Sequence, residues 1–247
     1  TMGSIHKGHL SLISKSNQMC HKTVVSIFVN PKQFNNKKDF KTYPKNIKKD
    51  LKLLNQSKTV DFVYIPKFKE IFKNNKKPKI KLIKKDKILC AKFRKGHFEG
   101  VIDVMTRLTK TLKPSKIFMG EKDFQQFFLV KKYIEKNYKS KIILCKTIRD
   151  KKKLALSSRN LHLNKECLIK AGTIARELIS YKKKLLKKKV TKELILTKKK
   201  ELEKFHNINV EYLEVRNRKN LQLSNKIKNS KIFVSYYLKK IRLIDNF

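Results

Sequence analysis

The sequence has no tryptophan, and its acidic residues are few, 19 against 64 lysines and arginines in 247 residues. Arginine is scarce as well, only eight of those 64 basic residues. No apolar run reaches the roughly 20 residues that cross a bilayer, and no secretory h-region opens the chain. The four cysteines, Cys20, Cys90, Cys145 and Cys167, include no C-x-x-C pair. That excludes the usual thiolate metal sites and fits reduced thiols in a cytoplasmic protein. With 40% apolar residues there is enough material for one large or two small cores.

What the chain has in excess is positive charge, formally +45. Charge alone points to nucleic acid. Two features argue against it. Arginine is the preferred reader of phosphates and bases, and the lysines run through nearly every segment instead of forming one stripe. A nucleic-acid-binding protein therefore stands as the alternative with charge as its only support, and no specific nucleic acid is expected as partner.

The chain opens on Thr1-Met2-Gly3-Ser4-Ile5-His6-Lys7-Gly8-His9, an H-x-G-H sequence running into Leu10, Leu12 and Ile13. Two histidines three apart can face one anion. The glycine between them admits a flat ring or a phosphate, and a helix amino end adds free N–H groups and partial positive charge. In nucleotide-binding α/β folds a buried strand precedes such a turn, so a strand is expected ahead of Thr1.

Further on, helical and strand patterns alternate. A helix over 9–19 precedes a nearly continuous apolar run over 23–29, read as a strand buried on both faces. It ends at Asn30-Pro31-Lys32-Gln33-Phe34, at a strand's carboxyl end, where open parallel sheets bind ligands. Residues 35–45 read as a surface loop, 46–56 as a helix, and 60–65 as a strand. Residues 67–90 carry little pattern beyond a short helix near 68–73 and a short hairpin. Arg94-Lys95-Gly96-His97-Phe98-Glu99-Gly100 opens a helix stopped by Pro114, which puts Arg94 and His97 at an amino end as a possible anion site. A strand at 117–119 leads into Gly120-Glu121-Lys122-Asp123, with Asp123 and Gln126 spaced as a capping box. A helix to about 137 and a strand over 141–145 follow.

This order predicts an α/β fold, a Rossmann-like parallel sheet with helices on both faces. Beyond it the pattern changes. Leu154-Ala155-Leu156-Ser157-Ser158-Arg159-Asn160 places two hydroxyls and a guanidinium in a row, a possible phosphate grip. Helices over 164–187 and 191–205 and then three strands suit a smaller C-terminal α+β domain. The two domains are expected over 1–147 and 148–247.

Five blocks, Thr1–His9, 26–34, 94–101, 120–126 and 154–160, stand in the order found in the pantoate–β-alanine ligases, a family of the H-x-G-H nucleotidyltransferase superfamily. The sequence resembles that family over almost its whole length. The resemblance implies an ATP-dependent enzyme that condenses (R)-pantoate with β-alanine through a pantoyl adenylate, releasing pyrophosphate and AMP. It implies that Met2, Gly3, His6, Gly8 and His9 hold ATP, as do Gly120, Glu121, Lys122 and Asp123. Ile148, Leu156, Ser157, Ser158 and Arg159 are implied as further ATP contacts, on a second domain that acts as a lid. His9, His6, Lys122 and Arg159 are the implied catalytic residues. Gln33 and Gln126 are implied to bind pantoate or β-alanine, supported by Asn30. Mg²⁺ is implied with ATP, held mostly by phosphate, with Asp50 a weak ligand candidate and no resident metal. A cytoplasmic homodimer with no membrane partner is implied. Another H-x-G-H adenylyltransferase is the alternative that shares the histidines but has no need of Gln33 and Gln126 together.

The chain departs from the family pattern at three positions. Lys95 stands where proline is usual and Lys153 where glycine is usual. Asp103 lies at a usually neutral position and is expected to face solvent.

Overall fold

The β-branched run at 23–29 forms only a three-residue strand, and it does not stand alone. In the computed structural model, which describes residues 1–35, 37–73 and 80–247, β1 (Val24–Ser26) pairs in parallel with β2 (Phe62–Tyr64). The chain divides into two units, Thr1–Lys146 and Thr147–Phe247.

In the first unit, α1 (Lys7–Met19) precedes β1, and α2 (Lys37–Thr42) and α3 (Ile47–Ser57) lie between β1 and β2. After β2 come α4 (Phe68–Ile71), α5 (Cys90–Phe93), α6 (His97–Leu112), β3 (Lys116–Gly120), α7 (Phe124–Asn137) and β4 (Lys141–Cys145). β3 and β4 form a second parallel pair, in register from Lys116–Lys141 to Gly120–Cys145. Both α1 and α7 pack on it. Parallel strands joined through helices are what alternating two-fold and 3.6-fold apolar periods produce.

Thr1 lies along the edge of β1 that faces away from β2. Its amino group donates to Ser26 O at 2.8 Å, and Phe28 N donates to Thr1 O at 3.0 Å. That is the pattern of a parallel ladder, so the chain reaches the H-x-G-H turn from a strand-like position.

Val25 and Ile27 point to one side of β1. There they join Ile5 and Ile13 of the H-x-G-H segment and Leu54 of α3 in a buried cluster. Full burial of one such aliphatic side chain contributes about 1.5–3 kcal/mol. The other face corrects the expectation of a strand buried on both sides. Phe28 and Tyr64 pack beside Phe72 at its carboxyl end. Val24 and its register partner Phe62 remain 44% and 60% exposed. An apolar run does not say which layers will cover it.

Three other expectations change. Residues 35–45 are not all loop, because α2 forms there, flanked by ring contacts of Phe34 with Phe40 and Tyr43 at 5.3 and 5.4 Å. This aromatic cluster overrides a polar, lysine-rich local sequence. Asp123 stands at the start of α7 with no side-chain cap hydrogen bond, so the capping box does not form; its carboxylate instead pairs with Lys122 at 3.1 Å. Between 67 and 90, α4 is the short helix, no strand occurs among the described residues, and 74–79 lie outside them.

The second unit holds α8 (Lys165–Leu185) and α9 (Lys192–His206). They are followed by an antiparallel sheet β5-β6-β7 formed by β5 (Asn209–Asn217), β6 (Ser230–Leu238) and β7 (Ile241–Asn246). Its core joins Ala171, Ile174 and Leu178 of α8 and Leu202 of α9 to Val210, Ile232 and Val234 of the sheet. Gly172 of α8 lies against the chain at Lys152, where a Cβ would come within 3.0 Å of the Lys152 carbonyl oxygen. Among the described residues, no helix is long and apolar enough to cross a membrane.

Candidate active site

α1 begins at an unusual cap. His6 is extended, with φ −141°, and its Nδ1 accepts the backbone N–H of Gly8 at 3.1 Å. His9 Nδ1 accepts the N–H of His6 at 3.3 Å. The two rings stack at 4.1 Å between centroids. An imidazole nitrogen that accepts a hydrogen bond carries no proton, so each neutral ring holds its proton on Nε2. His9 Nε2 then donates to Thr1 Oγ1 at 3.1 Å, and the same hydroxyl accepts Gly3 N at 3.2 Å. Burial pushes the pKa of His9 down to about 3, with His6, the Thr1 amino group and Lys122 adding to it. Burial and then Lys122 also lower His6, with Asp123 opposing. Both rings are neutral at physiological pH.

The turn before this cap is held by a carboxylate. Gly3 and Ser4 both have positive φ, +81° and +55°. Asp50 of α3, buried, accepts Ser4 N at 2.8 Å and Ile5 N at 2.7 Å. A Cβ on Gly3 would lie 3.0 Å from Asp50 Oδ2, so glycine suits both the backbone and the carboxylate. With each Asp50 oxygen accepting a backbone N–H, its place as a metal ligand is corrected to that of a structural anchor. The signal was present in the sequence: Asp50 is the one acidic residue of α3.

The Asn30 turn lies against the same segment. Gln33 is buried, and its Nε2 contacts Met2 Sδ. Asn30 is fully buried; its Oδ1 accepts Lys32 N at 3.1 Å, and its Nδ2 donates to Gly100 O at 3.0 Å. His97, also buried, and Arg94 both reach the Gln33 carbonyl, at 2.7 and 3.3 Å. Their sequence-level reading as an anion site thus meets a turn of the same chain. Asp103 is buried too, correcting its expected solvent placement. It pairs with Arg107 one helical turn on and with Lys32 Nζ at 3.5 Å, and two cations make such burial tolerable.

At the carboxyl end of β3, Gly120 leads into Glu121, Lys122 and Asp123, all partly buried. Lys122 lies near enough to lower the pKa of both histidines. Gln126 is half-buried and its side chain makes no hydrogen bond among the described residues, whereas its neighbour Gln125 is buried and donates to Ile88 O at 2.7 Å.

In the second unit, Leu156 N donates to Ile148 O at 3.0 Å, and Arg149 bridges Ala155. This hairpin brings Ile148 beside Leu156. Lys153 at its turn has φ +71°, the conformation in which the family's usual glycine costs least. Ser157 Oγ accepts Arg159 N at 3.3 Å, Ser158 is buried, and Arg159 donates to Arg242 O at 3.4 Å. Arg149 makes a bidentate pair with Asp245 at 2.6 and 2.8 Å.

Thus Met2, Gly3, His6, Gly8, His9, Asn30, Gln33 and Lys122 fall into connected surroundings in the first unit, while Ile148, Leu156, Ser157, Ser158 and Arg159 gather in the second. Sequence reasoning missed Asp50 and Thr1 as supports of the histidine turn and His97 as a support of Gln33. Among the described residues no group of three or more His, Cys, Asp or Glu forms a metal site.

Comparison with known proteins covers the whole chain. The family model for pantoate-beta-alanine ligase matches residues 1–247. The pantothenate synthetase of Leptospira biflexa is 37% identical over 257 residues, covering 100% of this chain and 88% of that protein. The pantothenate synthetase of Thermosipho africanus is 33% identical, covering 100% and 89%. Among solved structures, that of pantothenate synthetase from Thermus thermophilus superposes with a TM-score of 0.92 at 28% identity, covering 100% of this chain and 90% of that one. The pantoate-beta-alanine ligase of Francisella tularensis, complexed with beta-gamma ATP and beta-alanine, gives 0.81 at 33% identity, covering 100% and 86%. Fold and matches together define an α/β carbon–nitrogen ligase. The chain belongs to the pantoate-beta-alanine ligase family.

Proposed function

We propose that the chain performs its family's condensation of pantoate with β-alanine, with His6, His9 and Lys122 acting on ATP and Gln33 and Gln126 on pantoate. The pantoate carboxylate attacks the α-phosphorus. The bond from that phosphorus to the bridging oxygen breaks, and the electron pair leaves with pyrophosphate. The β-alanine amine then attacks the acyl carbon of pantoyl adenylate, AMP departs with its electron pair, and the amine loses a proton. Neither step needs a covalent enzyme intermediate. Both need two anions held in line and charge stabilised as it develops.

The observation that carries this reading is the tautomer of the histidine pair. Two neutral rings with Nε2–H donors, that of His9 resting on the Thr1 hydroxyl, stand at a helix amino end beside Lys122 and can turn to phosphate oxygens. Gly8 leaves room for the adenosine, and Met2, Gly3, Gly120, Glu121 and Asp123 complete the ATP contacts of the first unit. Gln126, whose side chain makes no hydrogen bond among the described residues, offers its amide to pantoate, and Asn30 supports Gln33. To the C-terminal domain expected over 148–247 we assign a lid role in which Ile148, Leu156, Ser157, Ser158 and Arg159 serve ATP.

Mg²⁺ enters with ATP and is carried mostly by phosphate oxygens. Among the described residues the side chains form no all-protein cage for it, Asp50 being committed to Ser4 and Ile5, and no step is routed through it. We place the enzyme in the cytoplasm as a homodimer. The exposed apolar pair Val24 and Phe62, with Val63 at 36% and Ile65 at 38%, supports a partner surface on the first unit. Phe62→Glu is expected to shift the mass measured by light scattering to that of one chain.

ATP–pyrophosphate exchange measured with and without pantoate tests the reaction. Exchange is expected only with pantoate present; exchange that ignores it would remove pantoate as the acyl substrate.

A further inference from the structure

Gln33 hangs from a turn that the first residues of another helix grip at several points. Asn30, Pro31, Lys32 and Gln33 form a single 3-10 turn, with Gln33 N on Asn30 O at 3.3 Å and Phe34 N on Pro31 O at 3.2 Å. Such a turn is too short to hold its own geometry. Three of the residues that grip it, Arg94, His97 and Gly100, come from 94–100. His97 Nδ1 lies 2.7 Å from Gln33 O, and Arg94 Nη2 donates to the same oxygen at 3.3 Å. Arg94 Nη1 lies 3.0 Å from His97 Nε2. A guanidinium only donates, so Nε2 accepts and the ring proton sits on Nδ1, directed at the Gln33 carbonyl. Arg94 thereby selects the tautomer that His97 needs. Gly100 closes the grip from the other side: its carbonyl accepts Asn30 Nδ2 at 3.0 Å, and a Cβ there would come within 2.5 Å of Lys32 O.

We propose that His97, with its proton placed by Arg94, is a positioning residue for pantoate, acting through the backbone of Gln33. The proposal rests on the reading of Gln33 as a pantoate ligand. The logic is geometric. The amide of Gln33 touches Met2 Sδ and accepts Asn30 Nδ2 at 3.4 Å, contacts that place it for substrate only while its backbone anchor holds. Loss of the anchor leaves the amide present but displaced, and small displacements of binding groups weaken alignment of the reacting atoms. His97 touches no phosphate in this scheme. Its removal is felt at pantoate and not at ATP.

The test varies each substrate in turn at saturating levels of the others. His97→Leu removes the donor and keeps an apolar side chain of similar length. It is expected to raise KM for pantoate about tenfold or more while KM for ATP stays within twofold. His97→Asn sets an amide N–H near the place of Nδ1 and is expected to restore most of the loss. Equal deterioration for pantoate and ATP, or no recovery by asparagine, would overturn the positioning role. If His97→Leu does not fold, Arg94→Met takes its place with the same expectation, because it frees the His97 tautomer while leaving the ring. Gln33→Ala separates the two levels of the argument. An unchanged pantoate KM in Gln33→Ala removes the pantoate reading itself. A raised KM there, beside a normal one in His97→Leu, removes only the role assigned to His97.

Discussion

His6 sets the protonation of His9: its backbone N–H binds Nδ1 of His9, while its own Nδ1 is occupied by the N–H of Gly8. Both side chains therefore present Nε2–H, and the position of that donor is what the reaction should depend on. His9→Ala is expected to lower kcat by about 10²–10³, the usual loss for one transition-state donor. His9→Gln, whose amide nitrogen falls near Nε2, is expected to retain more activity than His9→Asn, whose amide falls near Nδ1. Steady-state turnover of the three variants decides this; equal turnover of the glutamine and asparagine forms would argue against the tautomer.

The same burial makes stability depend on pH. His9 has a folded pKa of about 3 against 6.5 unfolded. Between those values the unfolded chain binds the proton and the folded chain does not, so stability rises with pH across the window and is complete above 6.5. Acidification from about pH 6.5 toward about 4.5, before most carboxylates titrate, is expected to destabilise the protein. Urea unfolding at several pH values should show a shallower dependence in His9→Gln than in the unchanged chain. An identical slope would place the proton uptake elsewhere.

Lys153 occupies a backbone conformation with φ +71°. A non-glycine residue there costs about 1–2 kcal/mol, and glycine recovers this less about 0.5–1 kcal/mol of extra unfolded-state freedom. Lys153→Gly is therefore expected to be neutral to slightly stabilising, whereas Lys153→Val is expected to lower the melting temperature. Calorimetry on the two variants checks the order.

Arg149 and Asp245 form a buried bidentate pair with side-chain exposures of 17% and 7%. Removing one member leaves the other charge unpaired. Asp245→Ala is expected to cost about 3–5 kcal/mol, measured by chemical unfolding. Because Arg149 sits in the hairpin with Ile148 and Leu156, the milder Asp245→Asn is expected to raise KM for ATP more than KM for pantoate.

Much of this architecture was legible in advance because helices and strands are written as local periods. Apolar spacing marked α6 as a helix, α7 and α8 were read as helices too, and β4 was bounded correctly from Lys141 to Cys145. The H-x-G-H turn was visible because a helix amino end between two histidines needs only neighbouring residues. α2 was hidden, since its local sequence is lysine-rich and only the fold brings its one ring, Phe40, against Phe34. Asp103 looked like a surface carboxylate because one of its two cations, Lys32, is distant in sequence and reaches it only in the folded chain.

By itself the sequence determined the order of elements and the two histidines facing one turn, since both follow from residues within a few positions of each other. It also determined the family, through blocks kept in order along the chain. Only the tertiary structure decided the state in which those residues work. Asp50 supports the histidine turn and His97 the Gln33 turn across 45 and 64 positions of chain. Such partners are chosen by burial, because a backbone N–H or carbonyl removed from water must be paired by whatever the fold brings near.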